Sequence, residues 1–343
     1  MSNDIRVLLA GAGRAGLVHG RNLARGIPGA RLVAVADLSR EAREKGALEL
    51  GCELVFDDPI QAVRDDRVDA AVIAAPTFTH ADIAVAALEL DKHVLCEKPL
   101  AASWRDGRRI VDAATKSSGS FSMAFMRRFD SRFVRASERI LAGDIGDPVL
   151  VRSTGRGPGL PPEWAWDPDR SGGLIAEVNS HDLDTVRWLS GQEFSSAHAL
   201  GRATKRPDIR DRYPEFTDVV IASFELSRGA LAQVDGACPV GYGYDARVEV
   251  LGTEGVLLVG GPVANTAVIV RKDEVMTDPV TSWRELFAAA YGEEDAHFVS
   301  VARGNAKPRT GVEDGLRALE AVLAVRRSLT ENRTATVAEA TSE

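Results

Sequence analysis

A glycine-rich turn between a strand and a helix constrains the fold of this chain more than any other feature. Gly11-Ala12-Gly13-Arg14-Ala15-Gly16 directly follows the β-prone residues 5–10 and opens an apolar helical segment that runs toward Leu23. A second strand, residues 31–36, ends at Asp37, about 20 residues after Gly16. Glycines permit a tight turn and close backbone approach, the helix N-terminus receives a pyrophosphate, and an acid at this separation binds an adenosine ribose. The order of these features predicts that residues 11–16 and Asp37 bind a dinucleotide.

The acid at position 37 also bears on which dinucleotide binds. A carboxylate accepts hydrogen bonds from both ribose hydroxyls and repels a 2'-phosphate, so Asp37 favours NAD over NADP. Arg40 lies nearby and leaves NADP as the less favoured cofactor. The alternative interpretation of Asp37 is a cap for the helix that begins near Arg40.

Strands and helices continue to alternate through the first third of the chain. Apolar runs predict further strands at residues 53–56, 70–75, 93–96 and 120–125. Asp58-Pro59, Thr79 and the Ser103 to Asp106 capping pattern predict helix starts. Such alternation is typical of a doubly wound parallel sheet, so residues 1–125 are predicted to form an α/β dinucleotide-binding domain.

Two charged residues follow the strand 93–96 and lie where ligands collect in such sheets. Ligands bind outside the carboxyl ends of parallel strands, which places Glu97 and Lys98 at the edge of a crevice, with Pro99 fixing the exit direction. The alternative is a surface turn with a solvated Lys98.

The remaining residues, 126–343, have a different pattern. Residues 130–142 predict a helix, residues 155–173 an irregular segment carrying Trp164 and Trp166, and residues 174–189, 282–303 and 312–329 further helices. Either tryptophan could stack on a sugar ring or anchor the segment to the core. Strands are predicted at residues 148–154, 219–226, 230–235, 246–251, 255–259 and 266–271, and the last dozen residues are expected to fray. The prediction is an α+β domain with a mostly antiparallel open sheet, one face on helices and the other available to a ligand or a second subunit.

The predicted helix 174–189 carries the second chemical cluster. Glu177 and His181 are four residues apart and therefore share a helix face, where a carboxylate can orient an imidazole that acts as a general base. Asn179, Asp182 and Asp184 lie in the same segment, and a solvated polar face is the alternative. Tyr242 and Tyr244 have the same parity, so in an extended strand both phenols would project to one side.

Composition bounds the class of protein. A chain of 343 residues that is 45% hydrophobic, without an apolar run of membrane-spanning length, predicts a soluble protein with no membrane span. The start of the chain has no leader pattern, and the three cysteines, Cys52, Cys96 and Cys238, have no metal or disulfide spacing, so a reduced, cytoplasmic protein is expected. A net charge of −8 argues against a nucleic-acid surface, which leaves a small molecule as the expected partner.

These motifs together resemble the Gfo/Idh/MocA oxidoreductase family. The resemblance rests on residues 11–16, Pro76-Thr77 with His80, Glu97-Lys98-Pro99, and Gly172-Gly173 leading to His181-Asp182-Leu183-Asp184. It runs nearly end to end, and residues 125–130 with Glu313-Asp314-Gly315 resemble the inositol 2-dehydrogenase branch. The family implies a Rossmann domain, a C-terminal helix packing near it, a substrate domain built on a mostly antiparallel sheet, and homo-oligomers, dimers or tetramers, formed through that sheet.

The resemblance also implies roles for individual residues. Lys98 would be the catalytic lysine and His181 the residue that handles the hydroxyl proton, assisted by Glu177. Inositol dehydrogenases usually carry Asp at the position of Glu177, so the longer side chain leaves open whether myo-inositol is the substrate. Pro76, Thr77, His80 and Glu97 would lie on the cofactor side, and the substrate side would comprise Lys98, Arg127, Asn179, His181, Tyr242 and Tyr244.

The expected reaction is oxidation of a secondary alcohol on a cyclitol or sugar, with hydride transfer to NAD. A redox-neutral, NAD-dependent glycosidase and a non-catalytic NAD-binding regulator are the alternatives, because fold alone does not decide function. A phosphorylated or acidic sugar is a further alternative if arginines neutralise its charge. Arginines that instead form salt bridges within the protein would not support an acidic substrate. The arginines in question are Arg127, Arg128, Arg152 and Arg156.

Overall fold

A computed structural model describes residues 4–342, with the side chains of residues 265–267 excluded. The strands in the described chain are β1 (Ile5–Ala10), β2 (Ala30–Ala36), β3 (Leu54–Phe56), β4 (Ala70–Ile73), β5 (His93–Glu97), β6 (Phe121–Ala124), β7 (Pro148–Arg156), β8 (Phe194–Arg202), β9 (Val219–Leu226), β10 (Leu231–Ala237), β11 (Asp245–Gly252), β12 (Val256–Gly260), β13 (Val263–Arg271), β14 (Glu274–Pro279) and β15 (Ala335–Thr336).

Helices connect and cover these strands. The α-helices of the same residues are α1 (Gly16–Ala24), α2 (Arg40–Leu50), α3 (Pro59–Val63), α4 (His80–Leu88), α5 (Trp104–Lys116), α6 (Ser131–Leu141), α7 (Pro168–Ser171), α8 (Leu174–Glu177), α9 (Ser180–Ser190), α10 (Trp283–Leu286), α11 (Ala288–Ala302), α12 (Val312–Glu331) and α13 (Val337–Ala340). Short 3₁₀ helices occupy Thr77–Thr79, Met126–Phe129, Glu163–Trp166 and Pro207–Asp211.

The chain divides into two compact units. Unit 1 contains residues 4–129 and 289–319, and unit 2 contains residues 130–288 and 320–342. The chain therefore enters unit 1 a second time, through α11 and the first part of α12. The predicted division of the chain at residue 125, with cofactor binding before it and substrate binding after it, stays a prediction.

Unit 1 is built on a parallel sheet of six strands among its described residues, in the order β3-β2-β1-β4-β5-β6. This is the strand order of a Rossmann fold, and it confirms the predicted doubly wound α/β architecture. Apolar strand residues such as Leu9, Val72 and Leu95 pack with Phe298 of α11, so the second passage of the chain completes this core. The start of α12 packs on α5, where Leu316 and Leu319 lie against Gly107.

Unit 2 is built on a mixed sheet with the order β12-β11-β7-β10-β9-β8-β15 in the described chain. The predicted α+β class with a mostly antiparallel sheet is confirmed, and β7 and β10 pair in parallel within this sheet. The strands alternate buried and exposed side chains, as expected for a sheet with one covered face. The hairpin β13–β14 pairs separately.

Several local predictions are wrong. The predicted helix 174–189 is interrupted after Glu177, because Asn179 departs from helical geometry at φ −103° and ψ 6°. The predicted helix 282–303 is likewise divided, at Phe287. Thr79 does precede α4, but its hydroxyl donates to Pro76 O and does not cap the helix. Within the last dozen residues, which were expected to fray, residues 335–340 form β15 and α13, and Thr336 with Glu339 makes a capping box there.

Candidate active site

The glycine turn after β1 has no room for a side chain at two of its glycines and has open space at a third. A Cβ atom on Gly11, whose φ is +102°, would lie 2.5 Å from the backbone of Ala74 and Ala75, and one on Gly16 would lie 1.9 Å from Gly11 O. Both positions therefore require glycine. A Cβ on Gly13 would meet nothing within 4 Å. The turn thus leaves open space at its centre, beside the N-terminal end of α1, which fits the pyrophosphate of a dinucleotide.

Asp37 lies beside this turn, as the spacing predicted. Its Oδ2 accepts a hydrogen bond from the Ala12 N–H at 2.8 Å, and its Oδ1 accepts one from the Ser39 N–H at 2.8 Å. The N-cap of α2 is Ser39, whose hydroxyl accepts from the Ala42 N–H, so the alternative interpretation of Asp37 as the cap is wrong. The carboxylate is held at the glycine turn, where an adenosine ribose would lie.

Glu97 and Lys98 follow from β5. Glu97 is the last residue of the strand, is 5% exposed, and accepts the Lys98 N–H on Oε2 at 3.0 Å. Its other oxygen, Oε1, lies 3.2 Å from His19 Nε2. Burial alone would raise the pKa of Glu97, but His19 and Lys98 outweigh burial and the pKa lies below its ordinary value. Lys98 is half-buried, unlike a residue of a fully solvated turn.

His19 is a member of this cluster that the sequence did not reveal. It lies in α1 with no exposed surface, and its Nδ1 is 2.5 Å from Asp295 Oδ1. The two partners are 78 and 276 residues away along the chain. A single histidine in a helix gives no local sign of partners so far away along the chain. Its position three residues after Gly16 indicates only that it lies near the N-terminal end of α1.

His80 joins two segments at the carboxyl ends of neighbouring strands. Its Nε2 lies 2.8 Å from Ala75 O, after β4, and its Nδ1 lies 2.9 Å from Pro99 O, after β5. Burial lowers the pKa of His80, and a neutral ring has one N–H to donate between these two oxygens. Both ring nitrogens therefore face the protein backbone. Thr77, in the intervening 3₁₀ helix, is 3% exposed, and Pro76 precedes it. The cofactor contacts of Pro76, Thr77 and His80 stay predictions.

In unit 2, Asn179 connects the start of α9 to the sheet. Its Nδ2 donates to Asp182 Oδ2 at 2.9 Å and to Asp235 O at 3.1 Å, and the residue has no exposed surface. Asp182 in turn accepts from the Ser153 hydroxyl at 2.6 Å. A Cβ on Gly236 would lie 1.9 Å from Asn179 Oδ1. Asn179 and Asp182 therefore anchor the start of α9 to β7 and β10.

His181 and Glu177 lie on either side of the helix break. His181 is 6% exposed in the first turn of α9, and Glu177 is half-buried at the end of α8. The premise that both share one face of a continuous helix is wrong, since Val178 and Asn179 separate the two helices.

Tyr242 and Tyr244 do not project to one side. Residues 241–244 precede β11 outside any strand, and Gly243 has a φ of +111°. Tyr242 is 43% exposed and donates to Asp245 Oδ2 at 2.9 Å, whereas Tyr244 is buried edge-on to Phe287. The expected parity is wrong because the backbone turns between the two residues. Their roles as substrate contacts stay predictions.

Arginines considered for an acidic substrate form salt bridges within the protein. The pairs are Arg128 with Asp314 at 3.0 Å, Arg152 with Glu249 at 3.3 Å, and Arg156 with Asp235 at 2.6 Å. Arg127 is 1% exposed in unit 1. Simple pairing thus accounts for most of these charges.

Trp166 anchors the irregular segment after β7. Its Nε1 donates to Pro161 O at 3.0 Å, and its ring packs edge-on against Tyr213 and Phe216. Of the two interpretations of this tryptophan, the structure supports anchoring.

The described residues contain no group of three or more His, Cys, Asp or Glu side chains that could hold a metal ion. Within the same residues, Cys52, Cys96 and Cys238 form no disulfide, and no helix is long and apolar enough to cross a membrane.

Comparison with known proteins gives the family. Residues 5–125 match the oxidoreductase family model with an NAD-binding Rossmann fold, and residues 133–258 match the model of the Gfo/Idh/MocA C-terminal domain. The chain is 33% identical over 308 residues to scyllo-inositol 2-dehydrogenase (NAD(+)) of Bacillus subtilis, covering 90% of this chain and 89% of that protein. It is 31% identical over 337 residues to myo-inositol 2-dehydrogenase of Thermotoga maritima, covering 98% and 99%.

A solved structure agrees with these matches. Scyllo-inositol dehydrogenase from Lactobacillus casei, with bound NAD(H) and scyllo-inositol, superposes with a TM-score of 0.89 at 28% identity, covering 98% of this chain and 99% of that one. The fold and the glycine turn define a protein with a dinucleotide-binding Rossmann domain. The chain belongs to the Gfo/Idh/MocA oxidoreductase family, which confirms the resemblance seen in its motifs.

Proposed function

We propose that this protein is an NAD-dependent dehydrogenase that oxidises a secondary hydroxyl of an inositol-type cyclitol or a related sugar. The observation that carries the proposal is the position of Lys98, half-buried at the carboxyl end of β5 and fixed through Glu97, in the same unit as a glycine turn that leaves open space at Gly13. The two inositol dehydrogenase relatives and the NAD(H) and scyllo-inositol complex support the same reaction.

The cofactor is assigned to residues 1–125. The open turn at Gly13 would receive the pyrophosphate and Asp37 the adenosine ribose, with NAD preferred because the carboxylate repels a 2'-phosphate. Residues 126–343 are assigned to substrate binding and oligomer formation. Bound NAD supplies a nicotinamide ring that accepts a hydride from the alcohol carbon.

The protein's own residues would handle the proton and the oxygen. His181 removes the hydroxyl proton as general base, and Glu177 assists it from across the helix break. Lys98 holds the alcohol oxygen and stabilises its developing negative charge. Glu97 keeps the lysine backbone in place.

The two alternative functions have less support. The relatives described above are dehydrogenases, and no glycosidase or regulator is among them. The salt bridges of Arg128, Arg152 and Arg156 remove much of the argument for an acidic sugar. Glu177, where inositol dehydrogenases usually carry Asp, leaves the particular cyclitol open.

A dehydrogenase screen tests the function. Purified protein is offered NAD or NADP with inositol isomers, aldoses, uronates and sugar phosphates, and reduced cofactor is followed by absorbance. We expect reduction of NAD with at least one neutral cyclitol. Hydrolysis of a glycoside without net NADH would instead identify a glycosidase, and cofactor binding without reduction on any polyol would identify a regulator.

Association through the second sheet is part of the proposal. Leu200 and Ile221 lie opposite each other in register on its uncovered face, and Leu231, which is 53% exposed, lies on the same face toward the other end of the strands, opposite Glu225. Leu251, Val256 and Leu258 extend this face across β11 and β12. An exposed apolar surface of this kind favours burial against a second copy, so we propose a homo-oligomer, a dimer or tetramer.

Three thiols outside disulfides support a reducing, cytoplasmic location.

A further inference from the structure

We propose that His19 is a positioning residue for the lysine of the active site, acting through a buried chain of charges that begins at Asp295. The inference rests on the proposed function only in assigning Lys98 to the chemistry. Asp295, His19, Glu97 and the Lys98 N–H follow one another in an unbroken series of contacts of 2.5, 3.2 and 3.0 Å.

All residues of the series lie in unit 1, and the side chains of its first three members are buried. His19 has no exposed surface, Asp295 is 1% exposed and Glu97 is 5% exposed. Asn22, from the next turn of α1, donates to Asp295 Oδ2 at 2.8 Å, so this carboxylate is held by two partners. Tyr291, one turn before Asp295 in α11, packs edge-on to the imidazole with 5.3 Å between ring centroids. The ring of His19 is therefore held by packing against Tyr291 as well as by its contacts with the two carboxylates.

The charges explain why a histidine is needed between the two acids. Burial would lower the pKa of His19, but Asp295 and Glu97 outweigh it and raise the pKa well above its ordinary value. The protonated ring donates one N–H to each carboxylate, and one cation lies between two anions. Without that cation, two buried carboxylates would face each other across the vacated space, and one would take up a proton. A protonated Glu97 would be a weaker acceptor for the Lys98 N–H.

The effect reaches Lys98 because its backbone is held from two directions. Glu97 accepts its N–H, and the next residue, Pro99, presents its carbonyl to His80. Loss of His19 releases the first of these constraints and leaves the second. A lysine displaced by a fraction of an ångström no longer meets the alcohol oxygen in the geometry that the reaction requires.

The first test uses His19→Gln, which has a side chain of similar size but no cation. We expect kcat on the cyclitol identified by the screen to fall about 10- to 100-fold, while KM and the dissociation constant for NAD stay within about twofold of the wild-type values. The matched control is His93→Gln at the opposite end of β5, where the ring contacts Ser120. This control removes a half-buried histidine from the strand that carries Glu97 and is expected to leave kcat unchanged.

A second readout does not depend on activity. The Lys98 N–H is hydrogen-bonded to Glu97, so its hydrogen exchange, followed by mass spectrometry on a peptide that contains it, reports on the link directly. We expect faster exchange in His19→Gln and unchanged exchange in His93→Gln. If His19→Gln does not fold, Asp295→Asn removes the charge at the start of the series and is judged by the same two measurements. In the wild-type protein, nitrogen NMR should show both ring nitrogens of His19 protonated at neutral pH.

The outcomes separate this inference from the proposed function. A wild-type protein that oxidises no cyclitol overturns the function, and exchange at Lys98 still decides the role of His19. Unchanged kcat and unchanged exchange in a folded His19→Gln protein overturn the inference. A loss of NAD affinity as large as the loss of kcat also overturns it, because the histidine would then act on the whole domain. A neutral His19 ring at neutral pH removes its electrostatic basis.

Discussion

The residues proposed to carry the chemistry of this protein differ in their structural surroundings. Lys98 and His181 belong to different units and to different structural settings, one after a buried strand and one in the first turn of a helix. The sequence proposes both as candidates, because a charged residue at a strand end and a histidine near an acid are local features. It did not identify His19, since the partners of that residue lie far away along the chain.

Substitution of either proposed chemical residue should reduce turnover far more than cofactor binding. For Lys98→Ala and His181→Ala we expect kcat to fall about 10²- to 10⁴-fold, the usual contribution of a positioned acid or base. The dissociation constant for NAD should change little. Steady-state kinetics with the identified substrate, together with NAD titration, measure both quantities. Lys116→Ala, on the exposed end of α5, is the control. Near-normal rates in either variant would show that the assigned role is wrong.

The charge on His19 predicts how stability depends on pH. Its folded pKa is raised, so its contribution to the free energy of unfolding is complete below its unfolded pKa of about 6.5 and is lost as pH rises through the folded value. Glu97 has a lowered folded pKa, so its contribution is present above about pH 4.5 and is lost in acid. The difference in unfolding free energy between wild-type protein and His19→Gln should therefore be largest at about pH 5 to 6.5 and shrink toward alkaline pH. Urea unfolding at several pH values measures it, and a difference that grows with pH contradicts the assignment.

Among the elements, those of unit 1 were predicted most closely. Continuous apolar runs and glycine signals are strong for buried parallel strands, and the predicted strand at residues 5–10 coincides with β1. Unit 2 was predicted less closely. Strands β8 and β14 were missed, because Phe194–Arg202 contains two serines, a histidine and a glycine, and Glu274–Pro279 is almost entirely polar or exposed. The break before α9 follows from the hydrogen bonds of Asn179 to the sheet, which sequence periodicity does not report.

The glycine turn gives a paired prediction at the scale of one element. Gly16→Ala should lower the melting temperature, because the new methyl group would lie 1.9 Å from Gly11 O. Gly13→Ala meets no protein atom within 4 Å and should leave the melting temperature unchanged while weakening NAD binding, since the methyl group enters the space proposed for the pyrophosphate. Thermal unfolding without cofactor and NAD titration separate the two effects. Equal NAD affinity in Gly13→Ala and wild-type protein would place the cofactor elsewhere.

At the scale of the whole molecule, the uncovered sheet face predicts the effect of a surface charge. Leu231→Asp places a carboxylate on that face at the start of the central strand β10 and should shift the protein toward monomers, as measured by light scattering after size-exclusion chromatography. Leu48→Asp is the control, since Leu48 is 87% exposed on α2 in unit 1. An unchanged mass for Leu231→Asp would mean that the copies associate through another surface, or that they do not associate.

The return of the chain to unit 1 has a consequence for how the protein matures on the ribosome. The nascent chain presents His19 and Glu97 early, but Asp295 emerges only after the whole of residues 130–288 has been synthesised. Until then the imidazole has one anion where the finished domain has two, and the aromatic ring that covers it is absent as well. A released fragment that ends near residue 125 would contain all six strands of the parallel sheet but would lack Phe298 of its core and the acid that balances its buried cation. The nucleotide domain is thus contiguous in its strands but is completed only by residues synthesised near the end of translation.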